Sequence, residues 1–549
     1  MDRQPPPPLI TMEAMLHMMA IHGVGAEMLN PATDLMYDFV HSLLPFPPVS
    51  AAASLSAISS SPGGGSEDRL SAHPDAILRD VVSRLPAKDA ARTAVLSSRW
   101  RPLWRSAPLV LVDAHLLQSA GGEDSPLRAG SGSGSITAAV SRVLEAHRGP
   151  FRCVNLTRSS MGAHRAELAL WLGLLAVKGV EEFVFVNRPW PLDFPLPTTI
   201  FSLASVKRLY LGAWGFPNTS VLPRGTAFPH LLELGLGCIA MEDRDLNFLL
   251  ARSPILQTLV VYASQTCVNL RIISRSLRCV QLCMCRVHDV SVVDAPRLER
   301  LLLWNVTNKE KVRTRVKFGH APKLRSVGYL MPGVHVLEIG NTIIKAETRA
   351  SPTTIVPSVK TLALELEVHF GVRNEAKMIP CFLRCFPNIE TLHIKSEETD
   401  QPAGKLNQKF MKETSSIECV QSHIREMIFH EYHGERSELA FLKFILGNAQ
   451  VLQHMVILFV EGSLSSGDNA VAKLIKDLSS VKRASENCRL VILESPNSRG
   501  GSCWSRQVAS DLDLADPFYC CCRTQHDLYV SWSKLALSAS SVLCSSNCF

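Results

Sequence analysis

Apolar residues recur along this chain in one short pattern, L-x-x-L-x-L, in which any apolar residue is allowed at the three fixed positions. The copies begin at Phe151, Val180, Val206, Leu231, Leu256, Leu277, Leu298, Leu324, Val359, Ile389, Ile424 and Leu452, at spacings of 21 to 35 residues. The second and third apolar positions are two residues apart, so they lie on one face of an extended chain. The pattern therefore predicts a short strand in each copy.

Some copies are preceded by a helical pattern. Residues 246–261, 379–394 and 442–457 align without gaps as an apolar helix, a break and a strand. A unit of this form cannot bury its own apolar face, so successive copies must stack into a parallel sheet backed by helices. A further helix is expected at 470–484 and a further strand at 488–493.

Residues 68–105 have a different pattern, which predicts three short helices. Pro74 and Asp75 are typical of a helix start, with proline at the first helical position, and Pro86 ends the first apolar run. The second helix is predicted from about Asp89 to Leu96. The third carries two tryptophans, and Pro102 keeps it short or bent. About 40 residues cannot bury so many large apolar groups alone, so we expect another surface to cover the tryptophans.

Composition indicates a largely globular chain. A chain of 549 residues is too long for one compact core. Hydrophobic residues make up 46% of it, and the net charge of +7 is modest for this length. One basic stripe, Lys309, Lys311, Arg313, Arg315 and Lys317, alternates at period two, which favours a solvated strand face over a nucleic-acid interface. The sixteen cysteines lack zinc-site spacing and are expected to be reduced core residues.

Other stretches carry no recognisable chemistry. Residues 1–66 are interrupted by charged groups, which argues against a membrane span, and predict a mostly disordered extension with one amphipathic helix at about 12–28. The Gly/Ser-rich stretch 121–135 is predicted to be a linker, since its glycines complete no phosphate-binding signature. No nucleophile with its base, carboxylate pair or metal set stands out. We therefore expect no catalytic residue, no cofactor and no metal.

The stretch 68–105 resembles the F-box, a motif with an apolar helix, a Leu-Pro, a Lys-Asp and a closing Leu-Ser-x-Arg-Trp-x-x-Leu-Trp. His73 departs from this pattern, because the family usually has leucine there. The resemblance implies that the F-box docks on an Skp adaptor. The residues expected to carry this contact are Pro74, Ile77, Leu78, Leu85, Pro86, Leu96, Ser97, Trp100, Leu103 and Trp104.

The repeats resemble a leucine-rich-repeat solenoid of irregular period. The Asn or Cys that regular repeats carry after the last leucine is mostly missing, Cys285 being an exception. Residues 419–461 resemble the FBD module of plant proteins, on Cys419, the Gly434 turn, a helix from Glu438 to Leu446 and the Asn448-Ala449 break. This module would close the exposed edge of the sheet. The ending ASDLDLADPF, residues 509–518, also looks like that family, whereas residues 519–549 do not.

The expected fold is therefore α/β, with an N-terminal three-helix F-box followed by an irregular leucine-rich-repeat solenoid closed by an FBD module. The expected boundaries are 1–66 for the extension, 67–110 for the F-box, 111–415 for the solenoid, 416–496 for the FBD module and 497–549 for the tail. A different α/β fold with fortuitous spacing is the alternative.

By resemblance, the chain is expected to be the substrate-recognition subunit of a Skp-cullin-F-box (SCF) ubiquitin ligase in the nucleus or cytoplasm. Its partners would be the Skp adaptor, cullin through that adaptor, and an unknown target protein, with no nucleic acid and no membrane. The alternative is a leucine-rich-repeat interaction scaffold outside any ligase. Candidates for target contact are Lys207, Arg208, Glu233, Gln257, Arg278, Gln281, Glu299, Arg300, Lys360 and His393.

Overall fold

The computed structural model divides the chain into a first unit, residues 1–266, and a second unit, residues 267–549. The structure describes residues 40–41, 44–50, 69–116, 133–159, 161–188, 195–223, 225–264, 266–306, 313–345, 348, 351–367, 375–397, 417–460, 469–494 and 505–518.

The first unit begins with short helices and continues as alternating strands and helices. Its described helices are α1 (Asp75–Ser83), α2 (Ala87–Arg92), α3 (Trp100–Ser106), α4 (Ser133–Ala146), α5 (Arg165–Lys178) and α6 (Asp243–Arg252). Its described strands are β1 (Leu109–Val112), β2 (Phe151–Leu156), β3 (Val180–Val186), β4 (Arg208–Gly212), β5 (Glu233–Gly237) and β6 (Thr258–Tyr262). Short 3-10 turns lie at Thr93–Val95, Asp113–Leu116, Met161–Ala163, Thr198–Ser202 and Thr219–Val221.

Strands β1 to β6 pair in parallel in chain order. Their register places the second apolar position of each repeat beside that of the next, as in Phe183, Leu209, Leu234 and Leu259. All of these side chains are buried. A one-residue slip would turn the apolar set to the other face, so the repeat pattern itself specifies the register.

A left-handed backbone turn recurs two residues after the third apolar position of a repeat. Ala213, Cys238 and Ala263 have φ of 59, 50 and 47° in the first unit, and Met284 and Asn305 have 52 and 45° in the second. Non-glycine residues adopt this conformation at a cost. The amides of Ala213 and Cys238 donate to carbonyls of the next strand at 2.9 Å, which holds the turn in place. Asn occupies only one of these five positions, so the turn also forms at residues other than the Asn of regular repeats.

Part of the predicted N-terminal extension packs on the first unit. The structure describes residues 40–41 and 44–50 there, and Val40 and Val49 are buried. Val49 joins a cluster with Val110, Val112 and Cys153 of the first two strands. The predicted helix at 12–28 lies outside the described residues.

The second unit contains two sheets. Its described strands are β7 (Val268–Ile273), β8 (Cys279–Cys283), β9 (Val287–Asp294), β10 (Arg300–Trp304), β11 (Thr314–His320), β12 (Ser326–Leu330), β13 (His335–Ile339), β14 (Thr342–Ile343), β15 (Thr361–Glu367), β16 (Thr391–Glu397), β17 (Glu426–Tyr432), β18 (His454–Phe459) and β19 (Arg489–Glu494). Its described helices are α7 (Glu375–Cys385), α8 (Glu418–Ser422), α9 (Arg436–Asn448), α10 (Asn469–Ser479) and α11 (Arg506–Ser510).

The larger sheet of this unit carries the predicted repeats. Strands β8, β10, β12, β15, β16, β17, β18 and β19 pair in parallel in that order. The predicted core residues Leu301, Leu362 and Leu392 are fully buried, as Leu259 is in the first unit. The predicted order of helix, break and strand is confirmed for α6 and β6, for α7 and β16, and for α9 and β18.

A second sheet, which the repeat pattern did not predict, consists of β7, β9, β11, β13 and β14. Strands β7, β9 and β11 lie in repeats of 21, 21 and 26 residues, whereas β13 and β14 lie in the 35-residue repeat that begins at Leu324. A strand rises about 3.3 Å per residue and a helix about 1.5 Å, so a 21-residue repeat can span its return path with a strand. The alternation of apolar and polar residues in β7 and β11 was the available sequence signal for these strands.

The basic stripe lies partly in this second sheet. Arg315 and Lys317 stand on β11, and Lys317 pairs with Glu338 on β13 at 2.7 Å. Arg315 approaches Asp289 on β9. The prediction of a solvated strand face is confirmed for these residues, whereas Lys309 and Lys311 lie outside the described part of the chain.

One assigned register position was wrong. The third apolar position of the repeat that begins at Leu324 was placed at Tyr329, but β12 pairs with β15 as Val327 with Leu362 and Leu330 with Leu364. Gly328 and Tyr329 together oppose one residue, which makes a bulge. Gly328 has φ of 144°, and an added Cβ would lie 2.4 Å from the carbonyl oxygen of Ala363. The bulge moves Tyr329 to the opposite face of the sheet.

The FBD-like segment adds α8 to α10 and β17 to β19 to the larger sheet. Helix α9 begins with a capping box, in which Glu438 accepts from the amide of Glu435 at 2.8 Å. The predicted turn at Gly434 has φ of 86°, a conformation that favours glycine. The predicted last helix and strand are confirmed as α10 and β19.

Several smaller expectations change. Pro74 is the residue before α1 and not its first residue, and α2 begins at Ala87, directly after Pro86. The predicted linker ends earlier, because α4 begins at Ser133. The ten cysteines in the described ranges form no disulfides with one another, and nine are buried. No helix among the described residues is long and apolar enough to cross a membrane.

Truncation of repeat leucines should destabilise the fold strongly. Leu259→Ala or Leu362→Ala each removes a fully buried side chain and should lower the free energy of unfolding by about 2–5 kcal/mol. Urea unfolding followed by circular dichroism measures this. The same change at Leu170, which is exposed on α5, is the control and should cost well under 1 kcal/mol. Equal losses at Leu170 and Leu259 would contradict the assigned register.

A buried histidine should make the second unit sensitive to acid. His335 Nδ1 accepts from the amide of Met331 at 3.0 Å, and its Nε2 lies 2.9 Å from the carbonyl of Val306. Burial lowers the pKa of His335 to about 4. The unfolded chain therefore takes up a proton below pH 6.5 that the folded chain does not, so stability falls as the pH drops from about 6.5 towards 4.

We expect His335→Gln to lower the free energy of unfolding at pH 7. Below pH 6.5 this variant should lose less of that free energy than the unmodified chain, by about 1 kcal/mol per pH unit. Urea unfolding at both pH values measures the difference. His288→Gln, at an exposed position on β9, is the control. An unchanged pH slope in His335→Gln would exclude this histidine as the source.

Candidate protein-interaction surfaces

Helices α1 to α3 form a small layer with one buried side. Helix α3 packs against α1, and Leu78, Val82, Trp100 and Leu103 are buried between the helices and the first strand. Trp100 Nε1 donates to Ser71 Oγ at 2.9 Å, so the indole is satisfied as well as buried. The largest apolar side chains of the predicted site thus hold the helices together.

Arg99 ties the loop before α1 to the loop before α3. Its Nη2 donates to Asp75 Oδ1 and to the carbonyl of His73, both at 2.7 Å, and its Nη1 donates to the carbonyl of Ser71. The guanidinium is exposed, so the charge itself contributes little to stability. Its geometric effect is to hold these two loops side by side.

We expected another surface to cover the tryptophans, and for Trp104 that surface is His147 of the first unit. The ring of Trp104 stacks on that of His147, with centroids 5.0 Å apart and planes 6° apart. Burial lowers the pKa of His147 to about 4, so the ring is neutral at physiological pH. Gly149 allows this approach, since an added Cβ would lie 2.8 Å from His147 Nε2.

The three helices also pack on the edge of the first sheet. Pro86 forms an isolated parallel bridge with Val110 of β1, and both α1 and α2 contact that strand. Ala107 and Leu109 are fully buried at this junction. The helical layer therefore shares a core with the first strand and is not a free-standing module.

The helical layer also exposes apolar side chains. Ile77 is 48% exposed and Leu96 is 65% exposed, and two residues that were not predicted, Leu70 and Val95, are 47% and 84% exposed. We call these four residues the apolar patch. Exposed clusters of this kind mark interaction sites. Val95 and Leu96 directly precede the polar run from Ser97 to Arg99, which was the available signal in the sequence.

The structure therefore divides the ten predicted adaptor-contact residues into three groups. Pro74, Ile77, Leu96 and Ser97 are exposed; Leu85, Pro86 and Trp104 are half-buried; Leu78, Trp100 and Leu103 are buried. The buried residues shape the layer and only the exposed ones present a surface. Their role in adaptor contact stays a prediction.

The predicted target-contact residues also divide. Seven of them are not buried: four are exposed and three are half-buried, and the seven are Lys207, Arg208, Gln257 and Lys360, then Glu233, Arg278 and Glu299. Of these, Lys207, Arg278 and Lys360 pair with carboxylates at 2.7 to 3.1 Å. Gln281, Arg300 and His393 were expected to point into solvent, and that was wrong. They are buried because residues 505–518, the C-terminal strap, lie over them.

The strap is held mainly through its backbone. Arg300 Nη1 donates to the carbonyls of Ala509 at 2.9 Å and Val508 at 3.4 Å, and Nη2 donates to that of Leu514. Gln281 Nε2 donates to Ser510 Oγ at 2.8 Å. Burial lowers the pKa of Arg300 from its ordinary value, although the group stays cationic at any physiological pH.

Two side chains of the strap are also recognised. His393 Nε2 lies 2.8 Å from Asp516 Oδ2, and His393 Nδ1 lies 3.0 Å from His430 Nε2. Burial raises the pKa of Asp516, but the charge and hydrogen bond of His393 outweigh it and leave the pKa below its usual value. Burial also lowers the pKa of His430 to about 3. With His430 neutral, one hydrogen joins His430 Nε2 and His393 Nδ1, and His393 Nε2 donates to the Asp516 carboxylate.

Aromatic side chains complete the contact. Phe518 packs edge-on against Tyr329, with centroids 5.2 Å apart, and Tyr329 packs edge-on against Trp304 at 5.1 Å. Phe518, Tyr329 and Ala509 form one buried cluster with Leu302 and Ala363. The bulge in β12, which turned Tyr329 to this face, therefore creates the pocket for Phe518.

Comparisons with known families cover three parts of the chain. The F-box domain family matches residues 70–111, the repeats of the FBD-associated F-box protein At5g56370 match residues 168–394, and the FBD family matches residues 412–457. The chain carries an F-box, a leucine-rich-repeat region and an FBD domain. The expected fold class is thereby confirmed, and the helical layer with the apolar patch is the F-box.

Relatives whose names include F-box and LRR-repeat are found in Arabidopsis thaliana. F-box/FBD/LRR-repeat protein At5g22660 is 22% identical over 474 residues, which cover 78% of this chain and 97% of that protein. F-box/FBD/LRR-repeat protein At1g13570 is 25% identical and is covered completely. F-box/LRR-repeat protein At3g26922 is 28% identical over 201 residues, and the match spans 61% of its length.

Substitutions in the F-box should separate its framework from its surface. Trp100→Ala removes a buried indole and should lower the free energy of unfolding by about 3–5 kcal/mol. Ile77→Ala, in the apolar patch, should change it by less than about 1 kcal/mol. Urea unfolding of both variants measures the contrast. Comparable losses would mean that Ile77 also supports the fold.

Proposed function

We propose that this F-box protein is the substrate-recognition subunit of an SCF ubiquitin ligase. The observation that carries the proposal is the two-sided F-box. Its inner side packs on the first strand through Pro86 and Val110, and its outer side exposes the apolar patch. The F-box match and the F-box names of the relatives support the same role.

The apolar patch suits a Skp-type adaptor. Leu70, Ile77, Val95 and Leu96 would leave water on binding, and fully buried aliphatic side chains gain roughly 1.5–3 kcal/mol each. The framework residues Leu78, Trp100 and Leu103 would contribute by shaping this surface. Cullin would then be reached through the adaptor and not by this chain directly.

The repeats would hold the target protein. We infer that this chain supplies binding at both ends, and that a partner subunit supplies the ubiquitin-transfer chemistry. The gain in rate would come from proximity, since a bound target has a high effective concentration near the charged enzyme. We propose a protein target and neither nucleic acid nor membrane, because the basic side chains Arg315 and Lys317 are already paired with Asp289 and Glu338. The nucleus or the cytoplasm is the proposed location.

Adaptor binding by variants of the apolar patch tests this proposal. Ile77→Asp and Leu96→Asp should each weaken binding of a purified Skp-type adaptor at least tenfold, because a carboxylate would have to be buried at the interface. Surface plasmon resonance with the full chain gives the dissociation constants. Thermal melts should be unchanged within about 2 °C, since both positions are exposed.

The same substitutions at other exposed sites of the first unit are matched controls. Ile255→Asp and Leu170→Asp should bind the adaptor within twofold of the unmodified chain. The second candidate function is a leucine-rich-repeat scaffold outside any ligase. It is favoured if the patch variants bind the adaptor as tightly as the unmodified chain, or if the unmodified chain does not bind the adaptor. The many ion pairs and the strap-covered face of the repeats are compatible with that role.

A further inference from the structure

The face of the larger sheet under the C-terminal strap has the properties of a binding site. It is formed by side chains that project between the repeat leucines, on the side opposite the core. They are Gln281 on β8, Arg300 and Leu302 on β10, Tyr329 on β12, Ala363 on β15 and His393 on β16. We call this set the strap face.

The strap face recognises peptide backbone. Arg300 directs its donors at three strap carbonyls, and Cys279 Sγ also lies 3.5 Å from the carbonyl of Ala509. Bonds to carbonyls do not depend on side-chain identity. Another chain segment in the same conformation would therefore meet the same donors.

Two pockets add sequence preference. One places His393 against a carboxylate, that of Asp516, and the other places Tyr329 and Ala363 around an aromatic ring, that of Phe518. The carboxylate and the ring are two residues apart along the strap. The face thus selects a segment in which an acidic residue precedes an aromatic residue by two positions.

The strap does not satisfy the face completely. Gln281 Oε1 and His430 Nδ1 are buried and have no hydrogen-bond partner among the described residues. Buried polar atoms in a permanent core are nearly always paired, and each unpaired atom costs on the order of 1–3 kcal/mol. A ligand that reached these two atoms would bind more tightly than the strap does.

The strap is also a superficial element. It adds no strand to either sheet, its helix α11 is one short turn, and Gln507, Asp511, Asp513 and Ala515 are exposed. Five of its fourteen residues are buried, namely Arg506, Val508, Ala509, Pro517 and Phe518. Such an element releases with little loss of the sheet beneath it.

We propose that the strap face is the target-binding surface and that the strap occupies it as an intramolecular pseudo-ligand. The partner is a protein segment of similar chemistry that adopts the conformation of the strap, with small residues over Arg300 and an acidic residue two positions before an aromatic one. That this partner is a ligase target rests on the proposed function, whereas binding of a peptide to the strap face does not depend on it. A target must therefore bind the strap face tightly enough to displace the strap.

A fluorescein-labelled synthetic peptide of residues 505–518 is the probe. In the full chain, Asp516→Ala with Phe518→Ala removes the acidic and the aromatic strap side chains that the two pockets hold and should expose the face. We expect fluorescence anisotropy to show at least tenfold tighter peptide binding to this double variant than to the unmodified chain. The matched control, Gln507→Ala with Asp513→Ala, changes two exposed strap side chains and should behave like the unmodified chain.

Arg300→Met in the released double variant tests the location of binding. It removes the guanidinium donors and should weaken the peptide at least tenfold. Hydrogen exchange at the strap amides shows whether the double variant has released the strap. If the strap exchanges freely and the peptide still binds no more tightly, or if Arg300→Met has no effect, the proposal is overturned.

Two further measurements keep the test decisive. Should the double variant unfold, Asp516→Asn alone removes one charge and should give a smaller gain in peptide affinity in the same direction; no gain in a folded variant overturns the proposal. Adaptor binding should be equal in the strap variants and the unmodified chain. Loss of adaptor binding in apolar-patch variants tests the ligase role separately, so the two proposals fail independently.

Discussion

The burial of three apolar residues per repeat is the constraint on which the rest of this structure depends. A strand with leucines on one face is unstable alone, and each parallel neighbour supplies both hydrogen bonds and an apolar surface. In the first unit the ladder from Phe183 through Leu209 and Leu234 to Leu259 shows the result. The left-handed turns at Ala213 and Cys238 follow from it, because their amides must reach carbonyls of the next strand.

The same constraint explains why some features were predictable. Helices α6, α7 and α9 and the repeat strands have an apolar periodicity that only one arrangement can bury, so the sequence was enough. The F-box was recognised through closely spaced residues such as Trp100 and Trp104, whose partners Ser71 and His147 could not be read from the pattern. Those contacts depend on how the helical layer meets the first strand.

Features that depend on long-range contact were missed. The second sheet takes the place of helices between residues 268 and 343, and its alternation in β7 and β11 is weaker than the leucine pattern. The bulge at Gly328 breaks the template by one residue and reverses Tyr329. The strap joins residues more than 200 positions apart in sequence, such as Arg300 and Ala509, so local periodicity contains no trace of it.

The polar character of the strap face has a physical consequence for binding. Lys395 pairs with Glu365 at 2.9 Å beside the ring of Trp304, and both charges are almost completely buried. Pairs of this kind add little net stability, because the desolvation cost offsets the attraction, but they disfavour any occupant that leaves them mispaired. A face built from His393, Arg300 and this pair therefore sacrifices core stability for selectivity. The leucine side of the same strands supplies the stability that permits it, so each strand separates the residues that hold the fold from those available for recognition.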